Sequence, residues 1–310
     1  MKPRILLTGT NGQVGNELQQ LLPAIGGTAA FDRARLDLSK PSDIRRIIKE
    51  IRPQIIVNAA AYTAVDRAKS EEALAHAINA DAPGVMAEEA KKIGALLVHY
   101  STDYVFDGTK TSPYEETDAT NPLGVYGKTK LAGEEAIRQS GTPHLILRTA
   151  WVYTTRGRNF LLTILRLASE CEQLRIVRDQ IGAPTLAREI ARATASVLTT
   201  VINEGGSIIS TEDISGTYHM TAASVGSWYD FACAILDEAS HGPSSMPWLA
   251  AATQGRPLIA KRVVPITTDQ YPTPAQRPAY SVLSNSLLNR TFGVQLPDWR
   301  QQLHSVFGAR

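Results

Sequence analysis

The fold is decided by the stretch Arg4-Ile5-Leu6-Leu7-Thr8-Gly9-Thr10-Asn11-Gly12-Gln13-Val14-Gly15. It begins with an apolar run that predicts a strand, and a helix is predicted from about Gln13 to Leu22. The glycines between them have the spacing Gly-x-x-Gly-x-x-Gly, which allows a tight turn and close approach of the backbone to a pyrophosphate. A helix N-terminus also presents free N–H groups and the positive end of the helix dipole. The turn therefore predicts a dinucleotide site formed by Gly9, Gly12, Gln13, Val14 and Gly15. The alternative is a tight turn without a ligand.

Strands and helices alternate along the rest of the N-terminal half. Strands are predicted at 28–32, 54–60, 95–102 and 144–148, and helices at 44–51 and 71–93. Such alternation with continuously apolar strands is typical of a parallel sheet that is covered on both faces. The sequence therefore predicts an α/β fold with a Rossmann-type, doubly wound parallel sheet.

The alternation loosens after Arg148. A helix is predicted at 160–167, a strand at 174–177 and a helix at 186–201, and from about residue 205 the pattern is irregular and rich in proline. We expect two interleaved domains. Residues 1–149 and about 173–205 form the NAD(P)-binding domain, and about 150–172 and 206–310 form a smaller C-terminal lobe that binds the substrate.

Composition restricts the class of protein. The chain has 310 residues, 43% of them hydrophobic and 20% charged, as in ordinary soluble globular proteins. The net charge of +2, without a polybasic stripe, argues against nucleic acid as a partner. No apolar run approaches the roughly 20 residues of a membrane span, and the N-terminus enters a strand rather than a cleavable leader. We expect a cytoplasmic protein without a membrane partner. Cys171 and Cys233 lack metal-ligand spacing, so no metal site is predicted.

Asp32 follows the glycine-rich turn by about 20 residues, at the end of a predicted strand, where a carboxylate accepts hydrogen bonds from the adenosine ribose. Arg33 and Arg35 come next and suit the 2′-phosphate of NADPH instead. These signals leave NADH and NADPH open. Asp37 and Leu38 are expected beside the adenine.

The strand at 54–60 runs into small residues at the same sheet edge. Ala60, Ala61 and Tyr62 follow Asn58 there, and small side chains let a nucleotide pass against the backbone. The alternative is that these residues are small for sheet packing alone.

Tyr126 and Lys130 stand on one face of a predicted helix, one turn apart. Asn121 is expected to cap this helix and Gly141 to end it. An ammonium beside a phenol lowers the pKa of the tyrosine, which is what a general acid at a carbonyl requires. Thr102 ends the strand at 95–102, where its hydroxyl can donate to a substrate carbonyl while Tyr126 delivers the proton. Asp103 fits a structural turn and a substrate contact equally well.

These motifs carry a resemblance. In their order, Gly-x-x-Gly-x-x-Gly, Asn-Ala-Ala-Ala, Ser-Thr-Asp and Tyr-x-x-x-Lys resemble the extended short-chain dehydrogenases/reductases. More narrowly, the chain resembles the dTDP-4-dehydrorhamnose reductase family. The stretches that carry this likeness span nearly the whole chain and include Ala61-Tyr62-Thr63-Ala64-Val65-Asp66, Ser101-Thr102-Asp103-Tyr104-Val105-Phe106, Arg148-Thr149-Ala150-Trp151-Val152-Tyr153, Asp179-Gln180-Ile181-Gly182-Ala183-Pro184-Thr185 and Tyr271-Pro272-Thr273-Pro274-Ala275-Gln276-Arg277-Pro278.

The resemblance implies reduction of the 4-keto group of dTDP-4-dehydro-L-rhamnose, a dTDP-sugar, to dTDP-L-rhamnose, the last step of dTDP-rhamnose synthesis for cell-surface polysaccharide. NADPH or NADH would supply the hydride, with NADPH modestly preferred. Tyr126 would be the proton donor and Lys130 its pKa tuner and ribose anchor. Thr63 would join the cofactor-lining residues. Substrate contacts would come from Thr102, Asp103, Tyr104, Trp151 and Arg277.

The resemblance leaves some properties open. Some family members form Mg²⁺-bridged dimers through glutamates near the C-terminus, but residues 284–290 here contain no carboxylate, which argues against that dimer. A monomer or a homodimer is expected. One alternative is a regulatory subunit that binds a dinucleotide without turnover, although Thr102, Tyr126 and Lys130 are all present. Another is a nucleotide-sugar epimerase or dehydratase. A dehydratase typically has Asp-Glu after the threonine, whereas Tyr104 follows Asp103 here.

Overall fold

A six-stranded parallel sheet forms the centre of the protein, whose computed structural model describes residues 2–202, 214–241 and 246–308. The strands of the described residues are β1 (Arg4–Thr8), β2 (Gly27–Phe31), β3 (Ile55–Asn58), β4 (Leu96–Thr102), β5 (His144–Thr149), β6 (Val152–Tyr153), β7 (Gln173–Val177), β8 (Ile181–Gly182), β9 (Thr185–Leu186), β10 (Gly216–His219), β11 (Gly226–Ser227) and β12 (Arg262–Ile266). The central sheet has the order β10-β5-β4-β3-β1-β2, and the other strands form three two-stranded pairs.

Helices cover both faces of this sheet. They are α1 (Gln13–Ile25), α2 (Pro41–Ile51), α3 (Glu72–His76), α4 (Ala82–Ile93), α5 (Val125–Ser140), α6 (Phe160–Ala168), α7 (Ala187–Val201), α8 (Trp228–His241), α9 (Pro247–Thr253), α10 (Ser286–Phe292) and α11 (Trp299–Phe307). Apolar residues of α1, α7 and α10 pack with one face of the sheet, and those of α2, α4 and α5 pack with the other. The predicted doubly wound α/β sheet is confirmed.

A separate apolar core holds the smaller lobe together. Side chains of α6, α8, α9 and α11 meet there, with Tyr153, Phe231 and Trp299 fully buried among them. Burying aromatic side chains of this size contributes strongly to the stability of a small core. The chain passes from the central sheet into the lobe directly after β5.

Two strands pair outside the domain to which the sequence assigns them. β7 pairs with β12 rather than with the central sheet, although residues 173–205 were assigned to the dinucleotide domain. β10 pairs with β5 and completes the central sheet, although it lies within the segment assigned to the lobe. Its sequence, Gly-Thr-Tyr-His, is too short and too polar to show the apolar run of the interior strands.

The predicted continuous helix over 71–93 is interrupted by a π-helical turn, Ala77–Asp81. Pro83 lies in the first turn of the helix that follows, where its missing N–H and its ring disturb the regular hydrogen bonding. Asn79, inside the π turn, bonds to the backbone of Tyr62 in both directions, at 2.8 and 3.0 Å. The irregular turn thus holds the loop after β3 in place at the carboxyl edge of the sheet.

None of the helices in the described ranges is long and apolar enough to cross a membrane.

Candidate active site

A cleft of about 550 Å³ lies along the carboxyl edge of β1, β2, β3 and β4. In a doubly wound sheet this edge is where ligands bind. The cleft brings together nearly all of the predicted cofactor residues, namely Gly9, Gly12, Gln13, Val14, Asp32, Arg33, Asp37, Leu38, Ala60, Ala61, Tyr62, Thr63, Tyr126 and Lys130. Gly15 is the exception.

The glycine-rich turn has no room for larger side chains. Gly9 has φ +77°, and a Cβ there would lie 2.5 Å from the backbone nitrogen of Ala60. A Cβ on Gly15 would lie 2.1 Å from the carbonyl oxygen of Gly9, so Gly15 packs under the turn and does not line the cleft. No side chain in the described chain caps the first turn of α1, which leaves its N–H groups for a ligand. The residues present therefore fit a dinucleotide pyrophosphate.

The two arginines after Asp32 have different positions. Arg33 lines the cleft, next to Asp32. The Arg35 guanidinium donates to the carbonyl oxygen of Ala30 at 3.1 Å and lies over the ring of Phe31. Arg35 is thus turned toward β2 and does not line the cleft, whereas Arg33 does. The Asp32 carboxylate accepts hydrogen bonds from the Arg35 backbone N–H and, at 3.4 Å, from the amide of Asn11.

Arg158 also lines the cleft and was not predicted. Its loop is held against α1 by neighbouring side chains, because the Asn159 amide donates to Gln13 Oε1 at 3.1 Å and the Gln13 amide donates to the carbonyl of Val152 at 3.3 Å. The stretch Thr154-Thr155-Arg156-Gly157-Arg158 has no periodic pattern, and the only sequence signal is its pair of arginines around a glycine. The loop adds a cation to the cleft, next to the start of α1.

The helix of Tyr126 begins one turn later than predicted. α5 starts at Val125 with Gly124 as its N-cap, and Asn121 does not cap it. The Asn121 amide instead donates to Asp107 at 3.1 Å, since a carboxylate outside the helix is within its reach. Gly141 ends the helix with φ +67°, as predicted. Both Tyr126 and Lys130 are placed at the cleft by this helix.

The predicted lowering of the Tyr126 pKa by Lys130 is wrong for this structure. Burial raises the pKa of Tyr126 to about 12, the charge of Asp103 adds to the rise, and the nearby Thr102 hydroxyl offsets part of it. The Lys130 Nζ is directed away, into the sheet, and donates to the carbonyl oxygen of Tyr100 at 2.6 Å. Burial also lowers the pKa of Lys130 to about 8, against the opposing charge of Glu134.

Thr102 and Asp103 form a buried pair at the end of β4. The Thr102 hydroxyl donates to Asp103 Oδ1 at 3.0 Å and accepts from the backbone N–H of Tyr104 at 3.2 Å. Asp103 Oδ2 is buried without a hydrogen-bond partner in the described chain. Burial raises the pKa of Asp103 to about 6, and the nearby hydroxyls of Ser281 and Thr102 oppose the rise. A hydroxyl of a bound ligand could satisfy this free oxygen.

Tyr104 lies beside Tyr126 and close to Arg277. The Tyr104 ring meets the Tyr126 ring edge to face, with centroids 5.5 Å apart. Burial raises the pKa of Tyr104, and the charge of Arg277 opposes that rise. The Arg277 guanidinium donates to Asp66 Oδ2 at 3.0 Å, which ties the segment around Arg277 to the loop after β3. Neither Tyr104 nor Arg277 lines the cofactor cleft.

Trp151 leaves β5 with an unusual backbone conformation, φ +47°, which a bulky residue rarely adopts. Its indole stacks on Trp228, the first residue of α8, and a Cβ on Gly182 would lie 2.5 Å from it. Trp151 is half-buried between the sheet and the lobe and does not line the cofactor cleft.

Comparisons with known proteins give a consistent answer. The family model described as "RmlD substrate binding domain" matches residues 1–309. A dTDP-4-dehydrorhamnose reductase of Burkholderia thailandensis is 50% identical over 297 residues, covering 96% of this chain and 95% of that protein. The Escherichia coli K12 protein of the same name is 43% identical over 300 residues, covering 96% and 94%. A crystal structure of dTDP-4-dehydrorhamnose reductase from Bacillus anthracis in complex with NADP has a TM-score of 0.86 at 33% identity and covers 99% of both chains.

Proposed function

The chain belongs to the RmlD substrate binding domain family, and we propose that it reduces the 4-keto group of dTDP-4-dehydro-L-rhamnose to dTDP-L-rhamnose with NADPH or NADH. Relatives that carry this activity in their names cover nearly the full chain at 38 to 50% identity. The observation that carries the proposal is the cleft itself. It joins a glycine-rich turn that suits a pyrophosphate to the half-buried Tyr126 and the buried Lys130.

In this reaction the reduced nicotinamide supplies a hydride to C4 of the sugar. The carbonyl oxygen at C4 then needs a proton, and the Tyr126 phenol is the protonated group that we assign to this step. Because the pKa of Tyr126 is raised to about 12, the phenol keeps its proton throughout the neutral range. The carbonyl becomes an alcohol, and the Tyr126 phenolate must be reprotonated before the next turnover.

The cofactor is held by the residues of the cleft. The N–H groups at the start of α1 would bind the pyrophosphate, Asp32 the adenosine ribose and Arg33 the 2′-phosphate of NADPH. Lys130 is proposed to bind the nicotinamide ribose, and Arg158 to add positive charge at the pyrophosphate. The position of Arg33 supports a modest preference for NADPH over NADH.

The dTDP-sugar is proposed to bind on the lobe side of Tyr126. Thr102 and Asp103 would meet the sugar hydroxyls, since Asp103 Oδ2 is buried and free. Tyr104, Trp151 and Arg277 complete this proposed subsite. A cytoplasmic location and a monomeric or homodimeric state remain part of the proposal, which cell fractionation and light scattering would test.

Activity is tested directly by oxidation of NADPH and of NADH in the presence of dTDP-4-keto sugar generated in place. We expect consumption of both cofactors and none in the absence of the sugar. If the dinucleotide binds but neither cofactor is consumed, the protein is a regulatory subunit of the same fold.

A further inference from the structure

A row of buried polar side chains crosses the sheet behind the cleft and ends at Lys130. It consists of Thr8 on β1, Asn58 on β3, His99 on β4 and Lys130 on α5, all of them at most 1% exposed. Thr8 is the register partner of Asn58, and Asn58 is the register partner of His99. The row therefore follows neighbouring strands at one level of the sheet. Four buried polar groups in line must each find a partner of the right kind.

The orientation of the Asn58 amide is fixed by two donors. The Thr8 hydroxyl lies 2.7 Å from Asn58 Oδ1, and the backbone N–H of Ala60 lies 3.3 Å from the same atom. A backbone N–H can only donate, so the atom that faces it must be the amide oxygen. The amide nitrogen of Asn58 consequently faces His99 Nδ1, at 3.0 Å. His99 Nδ1 must therefore accept a hydrogen bond.

A neutral imidazole that accepts at Nδ1 carries its proton on Nε2. The Nε2 of His99 lies 3.0 Å from the Lys130 Nζ. An ammonium at that position would direct N–H against N–H, whereas a neutral amine accepts with its lone pair and still donates to the carbonyl of Tyr100. We infer that His99 is a positioning residue of the active site, which donates its Nε2–H to the uncharged amine of Lys130 because Asn58 fixes its tautomer. This inference rests on the proposed place of Lys130 in the catalytic site.

The charges around the row agree with this assignment. Glu134, one turn along α5, favours a charged lysine, but its carboxylate is already bound by Arg148 at 2.7 and 2.9 Å and by Ser101. Arg138 adds a further positive charge at Glu134. Burial lowers the pKa of His99 well below its ordinary value, which keeps the imidazole neutral. A hydrogen bond from His99 favours only the amine form of Lys130, so it acts in the same direction as burial.

The arrangement has a consequence for the catalytic tyrosine. While Lys130 is bound by His99 and Tyr100, its Nζ is not available to acidify the Tyr126 phenol. Lys130 would become protonated only when another hydrogen-bond acceptor binds its Nζ in place of His99 and Tyr100. His99 would thus set the pH at which Lys130 becomes charged.

The test is ¹⁵N NMR of the cofactor-free protein, labelled at the histidine ring nitrogens and at lysine Nζ, between pH 6.5 and 9.5. The signals of His99 and Lys130 are assigned by their loss in His99→Gln and Lys130→Met. We expect His99 to carry its proton on Nε2 and the Lys130 Nζ to titrate with a midpoint below 8. A proton on Nδ1, or an ammonium that persists above pH 9, would overturn the inference.

Asn58→Asp supplies a second, nearly isosteric test. A carboxylate still accepts from Thr8 and Ala60 but cannot donate, so it draws the His99 proton to Nδ1 and leaves Nε2 to accept from a lysine ammonium. We expect the tautomer to switch and the midpoint of Lys130 to rise by a pH unit or more. The pH profile of kcat/KM should move with it, whereas a merely structural defect would lower activity equally at every pH. An unchanged His99 tautomer in this variant would contradict the inference. The His99 tautomer and the Lys130 midpoint are measured without substrate, so a failure of either is distinct from a failure of the proposed reaction.

Discussion

Trp151 and Trp228 lie face to face, with ring centroids 3.5 Å apart and planes within 5° of each other. One face of the Trp151 indole is therefore covered by the lobe, and a sugar can reach only its remaining surface. The strained φ of +47° at Trp151 turns the chain toward Trp228 directly after β5. The stack connects the edge of the catalytic sheet to the lobe that is proposed to bind the sugar.

Truncation of the two tryptophans separates packing from substrate binding. Both Trp151→Ala and Trp228→Ala should lose the stack and lower the free energy of unfolding by about 2–3 kcal/mol, less than a fully buried tryptophan loses. Only Trp151→Ala should also raise the KM for the dTDP-4-keto sugar, by about tenfold, which corresponds to about 1.4 kcal/mol of contact. Equal changes of KM in the two variants would assign Trp151 a purely structural role.

Replacement of Tyr126 tests the proton donor. Tyr126→Phe keeps the ring and its edge contact with Tyr104 but removes the phenolic proton. We expect kcat to fall by about two to four powers of ten, the usual contribution of a positioned acid. The dissociation constants for NADPH and the melting temperature should change little, and fluorescence titration and calorimetry measure both. Turnover close to that of the parent protein would remove Tyr126 from the mechanism.

Three arginine variants test the cofactor assignment. Arg33→Ala should raise the KM for NADPH about tenfold and leave NADH unaffected, because only NADPH carries the 2′-phosphate. Arg35→Ala is the matched control, since Arg35 is bound to the backbone of Ala30. This variant should leave the KM for both cofactors unchanged. Arg158→Ala should raise the KM for NADPH and for NADH alike, since its loop adjoins the start of α1, where the shared pyrophosphate is proposed to bind. An equal loss of affinity for both cofactors in Arg33→Ala would contradict a contact of Arg33 with the 2′-phosphate.

Asp103 makes stability depend on pH in a specific direction. Its pKa is about 6 in the folded protein, against an ordinary value of 3.8, so the buried carboxylate costs stability above pH 6, and that cost disappears as the pH falls toward 4. The shift corresponds to at most about 3 kcal/mol. Asp103→Asn removes the charge, so its melting temperature should exceed that of the parent protein by a few degrees at pH 7.5, with the gap closing near pH 4. A gap that does not vary with pH would show that Asp103 has the same pKa in the folded and the unfolded protein, which would contradict the shift.

The sequence alone predicts the parts of the fold that depend on local pattern. The apolar runs of β1, β3, β4 and β5 and the Gly141 stop of α5 are local signals, and the structure confirms them. β10 escapes detection because its four residues acquire strand conformation only through pairing with β5.

In the site, too, local sequence patterns are predicted and long-range contacts are not. The spacing of Tyr126 and Lys130 places both at the cleft, but it does not identify the partners of Lys130, which come from β4. Arg158 reaches the cleft through the contact of Asn159 with Gln13, residues that lie far apart in sequence. The Trp151 stack likewise depends on how the lobe packs against the sheet. Long-range contacts of this kind leave no periodic pattern in the sequence.

Transfer of hydrogen from cofactor to sugar is the central claim, and isotopic labelling tests it most directly. NADPH in which both hydrogens at C4 of the dihydronicotinamide are deuterium is consumed with the dTDP-4-keto sugar, and the product is analysed by NMR. We expect one cofactor oxidised per sugar and deuterium at C4 of a dTDP-6-deoxy-L-hexose with a hydroxyl at that carbon. A product without deuterium at C4, or turnover of the sugar without net oxidation of NADPH, as in an epimerase or dehydratase, would contradict the claim.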